Sequence, residues 1–227
     1  MNRHIPALAA MILTLALFAV LLSNLYVAPQ TTLAEESQKV IYLTFDDGPS
    51  DRVTPKILDV LKKENVPATF FIVGKRAESR KDILKRAFME GHTLAVHSYS
   101  HAYKEIYKSP KALLEDIEKC NEIICSITGE YSHIYRFPGG SYNIAPEKIK
   151  AVTASGYDYV DWNASFRDSE IQDRTAGKLY TAAISTVSDP DKIIMLAHDT
   201  TDKTETAEAL EEVIRYFKKL DYKFRKF

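Results

Sequence analysis

The sequence lacks a surplus of either charge, because its 227 residues include 30 basic and 31 acidic side chains and carry a formal charge of −1. Binding to nucleic acid through phosphate neutralisation needs a basic surface, and the composition gives no sign of one. We therefore expect no nucleic-acid partner. Internal repeats and low-complexity segments are also absent, which argues against a repeat architecture.

Cysteine is scarce, occurring only as Cys120 and Cys125. The two lie five positions apart in a helical pattern, so their side chains point about 140° away from each other around the axis. We expect no disulfide between them, since bridged cysteines must face each other closely. Two buried, small apolar side chains are the better interpretation, and two thiols at this spacing are weak evidence for a metal site.

Charge is missing entirely from residues 5–28, which follow Arg3 and His4. As a helix this segment would rise roughly 36 Å, enough to span roughly 30 Å of hydrocarbon, and it exceeds the usual apolar core of a signal peptide. Residues 32–34 offer an imperfect cleavage pattern, so we favour an uncleaved anchor over a cleaved signal. We predict a signal peptide or anchor at 1–28, a polar linker at 29–38 and one extracytoplasmic catalytic domain at 39–227, with membrane contact through the N-terminal segment only.

Apolar runs typical of strands alternate with helical patterns after residue 39, and this order predicts a parallel sheet. The predicted strands are 40–45, 69–73, 93–96, 134–137, 157–162, 193–197 and 222–224. The predicted helices cover 82–90, 146–155, 174–187 and 204–220, with further helical stripes near 53–61 and 113–127. Five of the strands end in polar clusters, which suits an α/β barrel whose strand ends converge on one site. The domain is small for eight units, so we expect a seven-stranded or incompletely closed barrel, with residues 162–173 as a loop over its mouth.

Three potential metal ligands follow two of these strands: Asp47 follows the first, and His97 and His101 follow the third. A spacing of four would place both imidazoles on one side of a helical turn. Two imidazoles and a carboxylate suit catalytic zinc with an open position, and equally a non-haem iron centre. A surface histidine pair and a solvated Asp46-Asp47 turn are the ordinary alternatives.

Five short motifs occur in a fixed order. They are Thr44-Phe45-Asp46-Asp47-Gly48-Pro49, His97-Ser98-Tyr99-Ser100-His101, Arg136-Phe137-Pro138-Gly139-Gly140, Asp158-Tyr159-Val160-Asp161-Trp162 and Leu196-Ala197-His198. The set closely resembles the polysaccharide deacetylases of the NodB-homology type, carbohydrate esterase family 4. The resemblance covers about residues 39–198, and its first two motifs are highly specific. It implies a deformed (β/α) barrel and metal-dependent removal of acetyl groups from a glycan.

The resemblance also implies catalytic roles. Asp47, His97 and His101 would hold one divalent metal ion, with zinc the leading choice and cobalt, nickel or manganese as alternatives. Asp46 would be the general base, oriented by Arg136. His198 would be the general acid, supported by Asp161. For His198 alone, a hydrogen-bonded core histidine is the ordinary interpretation.

The substrate contacts implied by the resemblance are Pro138, Gly139, Trp162 and Leu196, with Trp162 and Leu196 lining the acetyl pocket. Trp162, the sole tryptophan, could equally be a core residue. The third motif departs from the family pattern, because Gly139 stands where an aromatic residue usually follows the proline. One wall of the acetate site is then missing or supplied by Tyr142.

The leading hypothesis is a monomeric cell-envelope hydrolase that removes N-acetyl groups from a polymer containing N-acetylglucosamine, with peptidoglycan as the first candidate. An O-acetyl esterase acting on a glycan such as acetylxylan is the second hypothesis. A glycan-binding protein on an inactive esterase scaffold is the third.

Overall fold

The computed structural model describes residues 38–227, and the predicted anchor or signal segment lies outside them. The strands are β1 (Val40–Asp46), β2 (Thr69–Val73), β3 (Thr93–Ser98), β4 (Ile134–Tyr135), β5 (Asp158–Tyr159), β6 (Ala164–Ser165), β7 (Lys192–His198) and β8 (Lys223–Arg225). The helices are α1 (Val53–Glu64), α2 (Gly74–Ala77), α3 (Lys81–Met89), α4 (Tyr103–Ile106), α5 (Pro110–Thr128), α6 (Pro146–Ala154), α7 (Ala176–Ser185) and α8 (Thr204–Lys219).

The strands form one parallel sheet in the order β5-β4-β3-β2-β1-β7-β6, with β8 paired to the start of β1. Helices pack on the sheet, and its central strand β2 is buried along its whole length, as expected for a strand covered on both faces. The curled sheet confirms the predicted deformed (β/α) barrel. Its path ends at β5 and β6, which are not paired with each other, so the barrel is open between these two short strands.

The strand register brings the sequence motifs to one edge of this sheet. β1 pairs with β7 from Val40 and Lys192 to Asp46 and His198, so the last residues of these two strands stand side by side. On its other side, β1 pairs with β2, where Asp46 is opposite Phe71. Parallel strands end at the same edge, so the side chains that follow β1, β3, β4 and β7 meet there.

The helices are held by apolar stripes of helical period. In α1 the buried side chains are Val53, Ile57, Leu58 and Leu61, and α1 packs against α8. Helix α5 begins with Ser109, whose hydroxyl accepts a hydrogen bond from the Ala112 N–H, and ends at Gly129 in the left-handed conformation. These caps define the two ends of α5, which packs against β3 and supports the histidine motif.

Seven of the strands match the predicted segments, although the fourth and fifth are only two residues long. The strand β6 was not predicted and lies inside the segment 162–173 that we expected to be a loop. The short helices α2 and α4 were also missed, because four residues are too few to show a periodic pattern.

Both cysteines are free, as predicted: Cys120 is buried in α5, and its thiol contacts the Ile72 carbonyl oxygen at 3.2 Å. Within residues 38–227, no helix combines the length and the apolar character needed to cross a membrane.

Candidate active site

A carboxylate and two imidazoles converge at the ends of β1 and β3. Oδ1 of Asp47 lies 3.0 Å from Nε2 of His101 and 3.4 Å from Nε2 of His97. One ligand atom from each residue lies within 4.8 Å of the other two. Oδ1 of Asp47 is buried and has no hydrogen-bond partner among the described residues. An orphaned carboxylate oxygen facing two imidazole nitrogens fits a divalent cation, so the three residues form a candidate metal site.

The tautomer of His97 is set by a backbone contact. Its Nδ1 lies 2.8 Å from the Arg136 carbonyl oxygen, which can only accept a hydrogen bond. Nδ1 therefore carries a proton, which leaves Nε2 facing the site as the atom that would bind a metal ion. Burial alone would raise the pKa of Asp47, but the His101 and His97 rings, in their protonated form, hold that pKa well below its usual range.

The two histidines do not share a helical turn, contrary to the prediction. His97 belongs to β3. His101 lies in the irregular turn after β3 and has a φ of 55°. Asp47 also has a positive φ, of 75°. Left-handed backbone at residues other than glycine is costly and tends to occur at functional sites, where the surrounding structure enforces it.

Asp116, on α5, is the residue that enforces this turn. Its Oδ2 accepts hydrogen bonds from the Ser98 hydroxyl and the Tyr99 N–H, and its Oδ1 accepts one from the Ser100 N–H. The His101 N–H in turn donates to the Ser98 hydroxyl over 2.8 Å. No sequence motif pointed to Asp116, because its partners lie 16 to 18 positions away and two of them are main-chain groups.

Asp46 is paired with a buried arginine, as expected. Nη1 of Arg136 lies 2.8 Å from Oδ1 of Asp46, and the arginine side chain is fully buried. The guanidinium also donates to the Thr44 hydroxyl and to the Val160 carbonyl oxygen, and it lies over the Phe71 ring at 4.1 Å. These contacts leave the Arg136 group little freedom, so it fixes the orientation of the Asp46 carboxylate.

His198 is supported by Asp168 and not by Asp161, which corrects the prediction. Nδ1 of His198 lies 2.7 Å from Oδ1 of Asp168, and the His198 N–H and the Thr206 hydroxyl both donate to Oδ2 of the same carboxylate. Burial alone would lower the pKa of His198, but the Asp168 carboxylate raises it to about 9. His198 is therefore protonated at neutral pH.

Asp161 instead anchors the loop after β4. Its Oδ1 accepts a hydrogen bond from the Ser141 N–H at 3.0 Å, and its Oδ2 accepts one from the Ser141 hydroxyl. The same loop carries Gly139 and Gly140, which both have a positive φ near 80°. Asp161 reaches the site only through this loop and through its own carbonyl oxygen, which lies 3.3 Å from Nη2 of Arg136.

A cavity of about 310 Å³ opens over these groups. Fourteen residues line it: Asp46, Asp47, His97, His101, Tyr103, Gly139, Trp162, Ser165, Arg167, Asp168, Ser169, Glu170, Leu196 and His198. The structure thus brings Trp162, Leu196 and Gly139 to the cavity wall, as predicted.

Pro138 and Tyr142 do not line the cavity. The Pro138 carbonyl oxygen accepts a hydrogen bond from the Tyr107 hydroxyl at 2.8 Å, and Tyr142 is 95% exposed. Tyr103 stands beside Gly139 in the position that we had expected Tyr142 to fill. The lining residues that the sequence did not point to lie on the short helix α4, on the two-residue strand β6 or just after β6, in segments with no distinctive pattern: Tyr103, Ser165, Arg167, Asp168, Ser169 and Glu170.

The sequence matches the family model described as polysaccharide deacetylase over residues 34–160. Two curated proteins of Bacillus subtilis are similar. One is the putative polysaccharide deacetylase YheN, 34% identical over 82% of this chain and 66% of its own length. The other is the peptidoglycan-N-acetylmuramic acid deacetylase PdaA, 32% identical over 85% of this chain and 72% of its own length. The chain therefore spans about two thirds of the length of these relatives.

The fold is also that of a solved enzyme domain. The catalytic domain of peptidoglycan N-acetylglucosamine deacetylase from Eubacterium rectale superposes with a TM-score of 0.76 at 37% identity. The match covers 83% of this chain and 88% of that domain.

Proposed function

The chain belongs to the polysaccharide deacetylase family, and from this premise we propose that it removes N-acetyl groups from N-acetylglucosamine in peptidoglycan, outside the cytoplasmic membrane. The observation that carries the proposal is the meeting of three groups in one cavity. These are the Asp47, His97 and His101 cluster, the Asp46–Arg136 pair and the His198–Asp168 pair. Together they supply a metal site, a base and an acid.

The family is metal-dependent, and Asp47, His97 and His101 are the residues that would hold the ion. We propose zinc, because two imidazoles and one carboxylate with a position left open are typical of catalytic zinc. A cation there supplies Lewis-acid chemistry, lowering the pKa of water and polarising the acetamide carbonyl group. The Asp116 network keeps His101 in the conformation that binding requires.

Asp46 is the general base of the proposed reaction. It lies at the end of β1, next in sequence to Asp47, and lines the same cavity. Its Oδ1 is bound by Arg136, which holds the carboxylate in place. From this position Asp46 accepts a proton from the water that attacks the acetyl carbonyl carbon.

His198 is the general acid. The amine leaves the acetyl carbon only as it gains a proton, because an amide anion is a very poor leaving group. Asp168 binds Nδ1 and keeps the ring protonated, so Nε2 can donate a proton at neutral pH. The register of β1 and β7 sets His198 opposite Asp46, which supports the assignment of these two residues as acid and base.

The loop after β4 supplies the remaining groups. We propose that the Gly139 N–H stabilises negative charge on the acetyl oxygen, because Gly139 lines the cavity and Asp161 holds its loop through Ser141. Losing one such donor typically costs on the order of 10² to 10³ in rate. Trp162 and Leu196 form the apolar wall for the acetyl methyl group.

Peptidoglycan is the proposed polymer because PdaA and the Eubacterium rectale domain are both named for it, although for different sugars. We favour N-acetylglucosamine because the Eubacterium rectale domain is the more similar in sequence. Action outside the membrane agrees with the predicted N-terminal anchor, which stays a prediction, as does the monomeric state.

The experiment measures acetate and free amine released from peptidoglycan, chito-oligosaccharides and acetylxylan, with zinc and after chelation. Zinc-dependent acetate with an equal amount of amine is the expected result. Acetate without amine would replace the proposal by the O-acetyl esterase. No acetate from any of the three would support a binding scaffold.

A further inference from the structure

Tyr103 occupies the space that a side chain at position 139 would need. An ideal Cβ built on Gly139 would lie 3.2 Å from both Cε1 and the hydroxyl oxygen of Tyr103. Gly139 also has a φ of 80°, which disfavours any larger residue. The glycine and the tyrosine therefore form a complementary pair, in which an aromatic ring reaches the acetate site from α4 instead of from the loop after β4.

The Tyr103 ring is held in place by two aromatic neighbours. It packs edge-on against His101, with 5.3 Å between ring centroids, and against Tyr107 at 5.9 Å. Tyr107 is itself fixed by the hydrogen bond from its hydroxyl to Pro138, next to Gly139. The ring is thus positioned relative to both a metal ligand and the Gly139 loop before any ligand binds.

The exposed face and the hydroxyl group of Tyr103 remain available to a ligand in the cavity. The residue is 46% exposed and lines the same cavity as Asp46 and His198. Within the described part of the chain, its hydroxyl makes no hydrogen bond, whereas the Tyr107 and Tyr99 hydroxyls each bind a protein oxygen. A tyrosine with a free hydroxyl and an exposed ring suits a sugar, which offers both hydroxyl groups and apolar C–H faces.

We propose that Tyr103 is a specificity-determining residue that binds the sugar ring carrying the reacting acetyl group, through a hydrogen bond from its hydroxyl and packing of its ring. The inference rests on the proposed function of the same site. It assigns to Tyr103 the contact that the sequence pattern had placed on the residue after Pro138.

Binding is measured first, because it does not depend on turnover. Trp162 is the only tryptophan of the chain and lines the cavity, so its fluorescence reports ligand binding. The full chain, loaded with zinc, is titrated with a tetramer of N-acetylglucosamine. We expect Tyr103→Phe to raise the Kd roughly tenfold, the worth of one hydrogen bond, and Tyr103→Ala to raise it further. Tyr142→Phe, on the exposed tyrosine outside the cavity, is the matched control and should leave the Kd unchanged.

A second measurement separates sugar binding from an indirect effect through His101. The ratio of kcat/KM for the tetramer to that for 4-nitrophenyl acetate, an acetyl donor without a sugar, should fall roughly tenfold in Tyr103→Phe. Zinc affinity, measured by titration calorimetry, should not change. A constant ratio with weaker zinc binding would show that Tyr103 only supports the metal site and would overturn the inference.

An unchanged Kd in Tyr103→Ala would overturn it as well. Failure of the proposed function looks different: the wild-type protein would bind the tetramer and release no amine, while the Kd values of the variants would still decide the role of Tyr103.

Discussion

Nδ1 of His198 lies 2.7 Å from Oδ1 of Asp168, and that carboxylate is completely buried between the ends of β7 and α8. Three donors converge on Asp168, from the His198 ring, the His198 N–H and the Thr206 hydroxyl. The pair explains why the pKa of His198 is raised to about 9 despite its burial. A histidine acid tuned in this way is active only while protonated, so activity should be lost as the pH rises through its pKa.

The first prediction concerns Asp168→Asn. An amide cannot stabilise the imidazolium charge, so the pKa of His198 should fall toward its ordinary value of about 6.5. The alkaline limb of the kcat profile should then move down by more than one pH unit, and kcat at pH 8 should fall roughly 30-fold, because the protonated fraction of His198 there drops from about 90% to about 3%. The measurement is amine release from chito-oligosaccharides between pH 5 and 10.

Asp161→Asn is the control for this experiment. Asp161 acts through Ser141 and the Gly139 loop, so its substitution should lower kcat without moving the alkaline limb. If the alkaline limb shifted in Asp161→Asn and not in Asp168→Asn, Asp161 would be the residue that supports His198, as the sequence pattern had suggested.

The predicted partner of His198 was Asp161, whereas the structure shows Asp168 in that position. The difference shows where the sequence pattern stopped being informative. Asp161 follows an apolar run, but the strand there shrinks to Asp158–Tyr159, and both residues are exposed. Asp168 follows β6, which is two residues long and leaves no period to detect. The chain turns at Arg167 with a φ of 53°, and this turn brings Asp168 back under His198.

The long elements, by contrast, were predictable because each leaves a pattern in the sequence, an apolar run for a strand or an apolar stripe for a helix. β1, β2 and β7 are apolar runs of five to seven residues, and the buried positions of α1 and α8 recur at helical spacing. Asp46, Asp47, His97 and His198 lie at the ends of β1, β3 and β7 or directly after them, so their convergence followed from the parallel order alone. Asp116 and Tyr103 approach the site from helices α5 and α4, and the packing of these helices could not be predicted from the sequence.

The second prediction separates metal binding from proton transfer. His97→Ala removes a ligand and should abolish measurable zinc binding together with activity. Asp46→Asn keeps the three ligands and should retain zinc affinity, while kcat falls on the order of 10² to 10⁴ for want of a base. Titration calorimetry and amine release on the same preparations provide the test. A fully active Asp46→Asn protein would remove Asp46 from the reaction.

The third prediction concerns Asp116, which touches no metal ligand side chain but holds the turn that carries His101. Asp116→Ala leaves the Tyr99 and Ser100 N–H groups without their acceptor. Removal of a residue that orients a metal ligand typically lowers metal affinity 10- to 100-fold. We expect zinc affinity to fall in that range.

Glu115→Ala, on the exposed side of the same helix, is the control and should bind zinc as tightly as the wild type. Unchanged zinc affinity in Asp116→Ala would show that the left-handed conformation of His101 does not need this carboxylate.

The fourth prediction concerns Gly48, which follows the Asp46-Asp47 pair. An ideal Cβ at Gly48 would lie 2.1 Å from Oδ2 of Asp199. The carboxylate of Asp199 cannot move aside easily, because it is completely buried and its Oδ2 accepts a hydrogen bond from the Thr54 hydroxyl at 2.6 Å. Gly48→Ala should therefore destabilise the domain by about 1–3 kcal/mol, the usual cost of overpacking, and should weaken zinc binding by displacing Asp47.

The chain offers a matched control for this substitution. Gly177 lies in α7, and an ideal Cβ at this position would meet nothing within 4 Å. Because alanine is the better helix former, Gly177→Ala should stabilise the domain by about 0.5–1 kcal/mol. Urea unfolding of both variants gives the comparison. Equal stability of Gly48→Ala and the wild type would mean that Asp199 can yield its position, and hence that the approach of its carboxylate to Gly48 does not fix the turn that presents Asp47.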